Sequence, residues 1–268
     1  MNQEDILKRV TEKREFSQVP EKDIEVAYSH FVRRQTSDEE KIRLTRELLH
    51  KVFGAFGSKK LLSPKDKDAK WILRKHISTR ERLPFYKEIY KRILKNAGKR
   101  VSAVDLGCGI NGFSYDYFKE LGVSVNYVGV EALGQLVDLT NQHFKRNQIK
   151  GKVIHASLFK LEKVKDIIKK EKKPRIVFLF KTLDSLEMLK RDYSFRLLEE
   201  VSKISDKVCV SFATRSLVKR ERFRAKRAWL TRFIEEKFKI TDDFELGGER
   251  YIVFKNRTKR NQNFIEKC

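Results

Sequence analysis

Val101-Ser-Ala-Val-Asp105-Leu-Gly107-Cys108-Gly109-Ile-Asn-Gly112 reads as a buried strand that ends in an acid, a glycine-rich turn and the start of a helix. Glycines at 107, 109 and 112 let the backbone approach a ligand closely, and the helix that follows offers N–H groups without intrahelical partners. Such a turn suits a nucleotide-like cofactor, although dinucleotide enzymes share its spacing. Asp105 sharpens the reading. A carboxylate at the strand tip would repel a pyrophosphate but suits the cationic methionine end of S-adenosylmethionine. Glu131 closes the next apolar run, Val125-Asn-Tyr-Val-Gly-Val-Glu131, where it can accept both hydroxyls of a ribose. These residues point to S-adenosylmethionine on a methyltransferase fold, with a nicotinamide-dependent oxidoreductase as the alternative.

The rest of the chain fits an α/β architecture. From Arg100 onward, strand candidates at 101–106, 125–131, 152–157, 175–181, 207–213, 240–246 and 250–255 alternate with amphipathic segments such as Leu133, Leu136, Val137, Thr140 and Phe144. Most are continuous apolar runs, as in parallel strands covered on both faces. Phe244-Glu-Leu-Gly247-Gly248-Glu-Arg-Tyr-Ile-Val is instead a hairpin signature. Parallel strands followed by a terminal antiparallel hairpin predict the Rossmann-like, seven-stranded class I methyltransferase domain, preceded here by helices. In that helical region Ile24, Ala27, Tyr28, Phe31 and Val32 share one face, and Ser37-Asp-Glu-Glu40 forms a capping box. Leu44, Leu48, Leu49, Val52, Phe53 and Phe56 run along the helix it opens, which Gly54 and Gly57 close. A further helix spans Leu83 to Leu94, with Pro84 tolerated only in its first turn. The predicted organisation is a helical domain over 1–95, the methyltransferase domain over 96–258 and a basic, flexible tail over 259–268.

Charge narrows the partner. The 268 residues carry 61 Lys and Arg against 37 Asp and Glu, a net +24 that attracts polyanions, RNA or DNA by default. No apolar run approaches the ~18 residues of a spanning helix, and the start Met1-Asn-Gln-Glu-Asp-Ile lacks the layout of a signal peptide, so a cytoplasmic, membrane-free protein is expected. Cys108, Cys209 and Cys268 have no C-x-x-C spacing, which implies neither a metal site nor a disulfide framework. Cys108 reads as a small residue tolerated beside the cofactor rather than a nucleophile. A 37% share of charged residues with only two Met hints at a thermophile. The segment Arg215–Arg232 concentrates Arg215, Lys219, Arg220, Arg222, Arg224, Lys226 and Arg227 around Phe223, directly after the fifth strand candidate. Basic side chains there can track phosphates, and Phe223 can stack on a flipped base. Trp229 and Phe233 read as core.

His76-Ile-Ser-Thr-Arg80-Glu-Arg82-Leu-Pro, Asp105-Leu-Gly-Cys-Gly, Val177-Phe-Leu-Phe-Lys181-Thr-Leu and Ser211-Phe-Ala-Thr-Arg-Ser-Leu217 occur in this order. The set resembles the aminoglycoside-resistance 16S rRNA (guanine-N7) methyltransferases, from roughly residue 20 to residue 255. The resemblance implies a helical RNA-docking domain before the methyltransferase domain, and a monomer that acts on 16S rRNA or the small ribosomal subunit. The composition suggests a thermophile or archaeal housekeeping relative. The resemblance also implies that Arg80 or Arg82 holds the cofactor carboxylate, and that Asp105, Gly107, Gly109 and Glu131 bind the cofactor as argued above. Ser157-Leu158 falls where many relatives place Asp-Leu against the adenine. Lys181 faces the methionine end or the incoming base and is the candidate catalytic residue. Phe180-Lys181-Thr182-Leu183 lacks the Pro-Pro segment common in exocyclic-amine methyltransferases, which favours guanine N7 and leaves cytidine N4 open. A non-catalytic rRNA-binding or ribosome-assembly protein is the rival outside enzymes.

Overall fold

The computed structural model describes residues 3–54, 67–214 and 227–257. Among the described residues six helices come first: α1 (Gln3–Thr11), α2 (Glu21–Ser29), α3 (Asp38–Phe53), α4 (Ala69–Lys75), α5 (Ile77–Arg82) and α6 (Tyr86–Ile93). The alternating region then runs β1 (Arg100–Leu106), α7 (Asp116–Glu120), β2 (Ser124–Glu131), α8 (Gly134–Arg146), β3 (Gly151–His155), α9 (Leu161–Lys170) and β4 (Arg175–Phe180). It continues with α10 (Leu183–Leu189), α11 (Tyr193–Ile204), β5 (Lys207–Ala213), α12 (Ala228–Lys237), β6 (Phe238–Leu246) and β7 (Glu249–Asn256). The strands form one seven-stranded sheet in the order β3-β2-β1-β4-β5-β7-β6, with β7 antiparallel to both neighbours.

Alternation along the strands sorts the core into two layers. Ala103, Tyr127, Phe178, Cys209 and Tyr251 face one apolar cluster, which they share with Ile24, Leu49, Ile72, Tyr86, Ile89 and Ile93 of the helical region. Val104, Val128, Val177, Val208 and Ile252 face the other, closed by Val164, Leu197, Val201, Leu230 and Ile234. Each fully buried Val, Leu, Ile or Phe among them contributes about 1.5–3 kcal/mol. The helices before Arg100 therefore cover one face of the sheet, and the boundary placed at residue 95 divides the chain but not the apolar cluster.

Local chemistry explains the element ends. Ser37 accepts from Glu40 N at 3.2 Å, the expected cap of α3. α2 stops at Ser29 because tightened turns take over, with Phe31 N bonded to Tyr28 O at 2.8 Å. Val32 is consequently not on the buried face; it is 48% exposed. Pro84 separates α5 from α6, so the helix expected from Leu83 begins at Tyr86. Trp229 is likewise 38% exposed, packed edge-on against Phe195, while Leu230 and Ile234 take the buried positions of α12.

Candidate active site

A pocket opens over the carboxyl ends of β1, β2 and β4, the edge where ligands bind in doubly wound sheets. Gly107 and Gly109 carry the chain across it at φ +72° and +51°, a region that favours glycine. A Cβ on Gly107 would come within 2.6 Å of Thr182, whereas the space beside Gly109 is open. Gly112 serves packing instead, since a Cβ there would meet Phe144 and Thr140 at 2.7 Å.

Glu131 is buried on this wall, where its Oε2 accepts from Gly109 N at 2.8 Å and its Oε1 from Leu133 N at 2.9 Å. It thereby fixes the glycine turn, and each oxygen keeps a second lone pair for a ligand hydroxyl. Burial raises its pKa, against the lowering effect of these backbone bonds. Asp105 stands one layer behind the wall, with Oδ2 accepting from Asn111 Nδ2 at 2.6 Å and the Tyr127 hydroxyl at 2.7 Å. Its Oδ1 has no hydrogen-bond partner among the described residues, and burial raises its pKa. Tyr86 of α6 donates to Asn111 Oδ1 at 2.8 Å, which ties the helical region to the turn.

The end of β4 carries a charge network. Lys181 adopts φ +55°, unusual for a side-chain-bearing residue and of the kind that collects at functional sites. Its Nζ lies 2.5 Å from Glu81 Oε2 and 3.4 Å from Glu249 Oε2. Arg82 Nε donates to both Glu249 oxygens at 3.1 and 3.0 Å, and its guanidinium lies 4.9 Å from the centre of the Phe180 ring. The Ser211 hydroxyl also donates to Glu249. Burial works against the Arg82 charge, but Glu249 more than offsets it and holds the pKa well above the usual range. His76 shares the wall, and burial, followed by the Arg82 and Lys181 charges, lowers its pKa to about 4, so the ring is neutral near pH 7.

The structure brings Gly107, Gly109, Glu131, Leu158, Arg82 and Lys181 together around the pocket. Arg80 is exposed and lies away from it. Ser157 is buried; its hydroxyl accepts from Phe159 N at 3.1 Å and is close enough to the Asp23 carboxyl of α2 to favour its ionised form. Arg215, Lys219, Arg220, Arg222, Phe223, Arg224 and Lys226 lie outside the described residues. Arg227 is described and departs from the phosphate-tracking expectation. Its Nε and Nη2 bind Asp184 at 2.7–3.0 Å and its Nη1 donates to Ala213 O at 2.8 Å, so these donors are turned inward. Cys108 is buried with a pKa raised by desolvation, and a Cβ on Gly129 would come within 2.6 Å of its sulfur, as suits a packed thiol. Sequence reasoning missed Asp23, His76, Glu81 and Glu249. Glu81 sits inside the His76–Arg82 motif, and Glu249 opens the strand that pairs with β5, so hairpin register was the available signal.

A family model for ribosomal RNA methyltransferases, FmrO, matches residues 64–253. The 16S rRNA (guanine(1405)-N(7))-methyltransferase of Proteus mirabilis is 40% identical over 60 residues, 22% of this chain and 21% of that protein. The protein of the same name from Micromonospora rosea is 26% identical over 149 residues, 55% of this chain and 50% of that one. The chain thus aligns with half or less of these relatives' length. The 16S rRNA methyltransferase RmtF, solved with S-adenosyl-L-homocysteine, superposes with a TM-score of 0.78 at 21% identity, covering 96% of this chain and 100% of that one. The 16S rRNA methylase RmtB gives 0.76 at 20% identity, over 96% and 99%. These two share the fold. With its model spanning β1 to β7 and the motifs around the pocket, the chain belongs to the FmrO family of ribosomal RNA methyltransferases.

Proposed function

We propose that this protein transfers a methyl group from S-adenosylmethionine to N7 of a guanine in 16S rRNA. The observation that carries the reading is the pocket itself: a glycine turn with open space beside Gly109, faced by the Glu131 carboxylate and closed by Lys181. These residues fit the cofactor. Glu131 would accept the ribose hydroxyls and the turn would run along the methionine portion. When bound, the sulfonium would supply an electrophilic methyl; guanine N7 would form a bond to that carbon as the carbon–sulfur bond breaks, giving a neutral thioether and a cationic N7-methylguanine with no proton to remove. The chain's task is accordingly to hold and align, which can contribute several kcal/mol. His76 lines the site as a neutral ring, and a reaction with no proton to remove requires no base there. Lys181 is held by Glu81 and Glu249 at the transfer end, so Lys181→Ala should slow single-turnover methylation while S-adenosylhomocysteine binding stays close to parental.

Guanine N7 is favoured over cytidine N4 by the names of the matched relatives and by the absence of a Pro-Pro segment after Phe180. The antiparallel β7 between β5 and β6 disfavours a nicotinamide domain. The protein is read as a cytoplasmic monomer whose residues 1–95 dock on the small subunit, with the basic stretch after β5 gripping rRNA. Among the described residues no helix is long and apolar enough to cross a membrane. A thermophile or archaeal housekeeping role rests on charge content alone. The test is incubation with S-adenosylmethionine and small subunits, followed by borohydride–aniline cleavage at N7-methylguanine and mass spectrometry of 16S rRNA. A single new N7-methylguanine is expected. Methyl transfer to another atom would overturn the base assignment, and binding without transfer would favour the assembly-protein reading.

A further inference from the structure

Asp23 of α2 is a carboxylic acid in an unusual place for a helix that precedes the methyltransferase sheet. It is 3% exposed, stands on the pocket wall, and leaves Oδ2 without a hydrogen-bond partner among the described residues. Its other neighbours mark the position along the pocket. Ser157, just after β3, and Glu131, at the tip of β2, are both close enough to perturb its ionisation, the first lowering and the second raising its pKa. Across the strand ends the sequence of groups is Lys181 after β4, the glycine turn after β1, Glu131 after β2, and Asp23 with Leu158 after β3. If Glu131 takes the ribose and the turn takes the methionine portion, the base of the cofactor lies beyond Glu131, against Leu158 and Asp23. A buried acceptor without a partner is destabilising until a donor reaches it. The edge of adenine presents such a donor in its exocyclic amine.

We propose that Asp23 recognises the adenine amine of the cofactor, so that the helical region supplies the base-specific contact. This inference rests on the S-adenosylmethionine reading of the pocket. It explains why a carboxyl is kept where an apolar residue would pack at less cost. It also makes α2 part of the cofactor site. α2 and its flanks are held there by Gln18 O, which accepts from Gly134 N at 3.5 Å, and by the His30 ring, which contacts Leu189 O at 2.6 Å.

The test is calorimetric binding of S-adenosylhomocysteine and its 6-oxo counterpart, S-inosylhomocysteine, to the full chain. The pair differs where Asp23 is proposed to read. The parent should prefer the amine-bearing ligand by about 10-fold or more, the scale of a hydrogen bond to a charged group. Asp23→Ala should bind the two within about threefold of each other, and the isosteric Asp23→Asn should lose most of the preference while keeping the fold, as followed by melting temperature. Retention of the parental preference in both variants would overturn the role of Asp23. So would a parent that binds S-adenosylhomocysteine but does not discriminate. A parent that binds neither ligand would overturn the cofactor reading, and this inference with it.

Discussion

Glu249 is the keystone of the charge network, and its removal gives the sharpest prediction. The carboxylate is 1% exposed, lies 3.0 Å from Arg82 Nε and 3.4 Å from Lys181 Nζ, and receives the Ser211 hydroxyl. Glu249→Gln keeps the side-chain volume, so no cavity forms, but it leaves a buried guanidinium without its counter-charge and next to a second cation. Breaking one side of a buried pair costs about 3–5 kcal/mol. At about 2–4 °C per kcal/mol for a chain approaching this length, the melting temperature should fall by roughly 6–20 °C. Glu81 still neutralises Lys181, which favours the lower half of that range. The cost should persist at 0.5 M salt, because a pair shut away from solvent is screened little. Arg82→Met with Glu249→Leu should recover most of the loss, since apolar replacement of a whole buried pair is often neutral or stabilising. Scanning calorimetry of the three proteins decides the matter. A Glu249→Gln variant that melts within about 2 °C of the parent, or a double variant no better than the single, would refute the reasoning.

Two further outcomes rest on the pocket geometry and a third on the charge of the segment after β5. Glu131→Gln puts an amide where two backbone N–H groups need acceptors, so S-adenosylhomocysteine binding should weaken about 10-fold or more; calorimetry within twofold of the parent would remove Glu131 from the site. Burial first, with Glu131 opposing and Ser157 and Lys160 favouring ionisation, raises the Asp23 pKa from 3.8 to about 7. A raised acid contributes stability that is present below its unfolded pKa and lost as pH rises through the folded one. Between pH 5 and pH 8 the parent should therefore lose about 2–3 kcal/mol relative to Asp23→Asn in urea unfolding, and parallel curves would contradict the shift. Arg222→Gln with Arg224→Gln should weaken rRNA binding and flatten its salt dependence by up to ~0.7 per lost phosphate contact, whereas Arg227→Gln should lower the melting temperature and leave that slope alone. Equal slopes for both variants would undo the distinction drawn at Arg227.

The sheet was legible because its signals are periodic and local. β1, β2, β4 and β5 are apolar runs whose ends are marked by Asp105, Glu131, Lys181 and Ala213, and Gly247-Gly248 fixes the hairpin turn. Glu131, Gly107 and Gly109 could be placed for the same reason, since each follows from its position at a strand tip. The contacts that were not legible join residues far apart in the chain: Arg82 with Glu249, Lys181 with Glu81, Asp23 with Ser157. A side chain's partner across 100 residues depends on how helices lie on the sheet, which no local period encodes. Hence Arg82 reads from sequence as a ligand for a carboxylate, and in the fold it already has one.

That substitution of partners bears on how the helical region works. Asp23, His76, Glu81 and Arg82 all precede β1, yet each lies on the pocket or in the network that closes it. Tyr86 and Tyr90 reach the same site from below through Asn111 and Ser114, whose positions set the glycine turn. The face of the sheet formed by Tyr127, Phe178 and Tyr251 is buried by these helices, so separating residues 1–95 would expose that face and open one wall of the pocket together. A region that completes the pocket cannot move without altering it, so the docking proposed for residues 1–95 would not be independent of ligand binding. Any displacement of α2 or α5 on contact with rRNA changes the positions of Asp23, Glu81 and Arg82, and therefore the affinity for a ligand that touches them. By linkage the ligand changes the affinity for rRNA by the same factor. The buried charges at this seam are costly to hold in place, and under the proposed function their arrangement would make the two events one equilibrium.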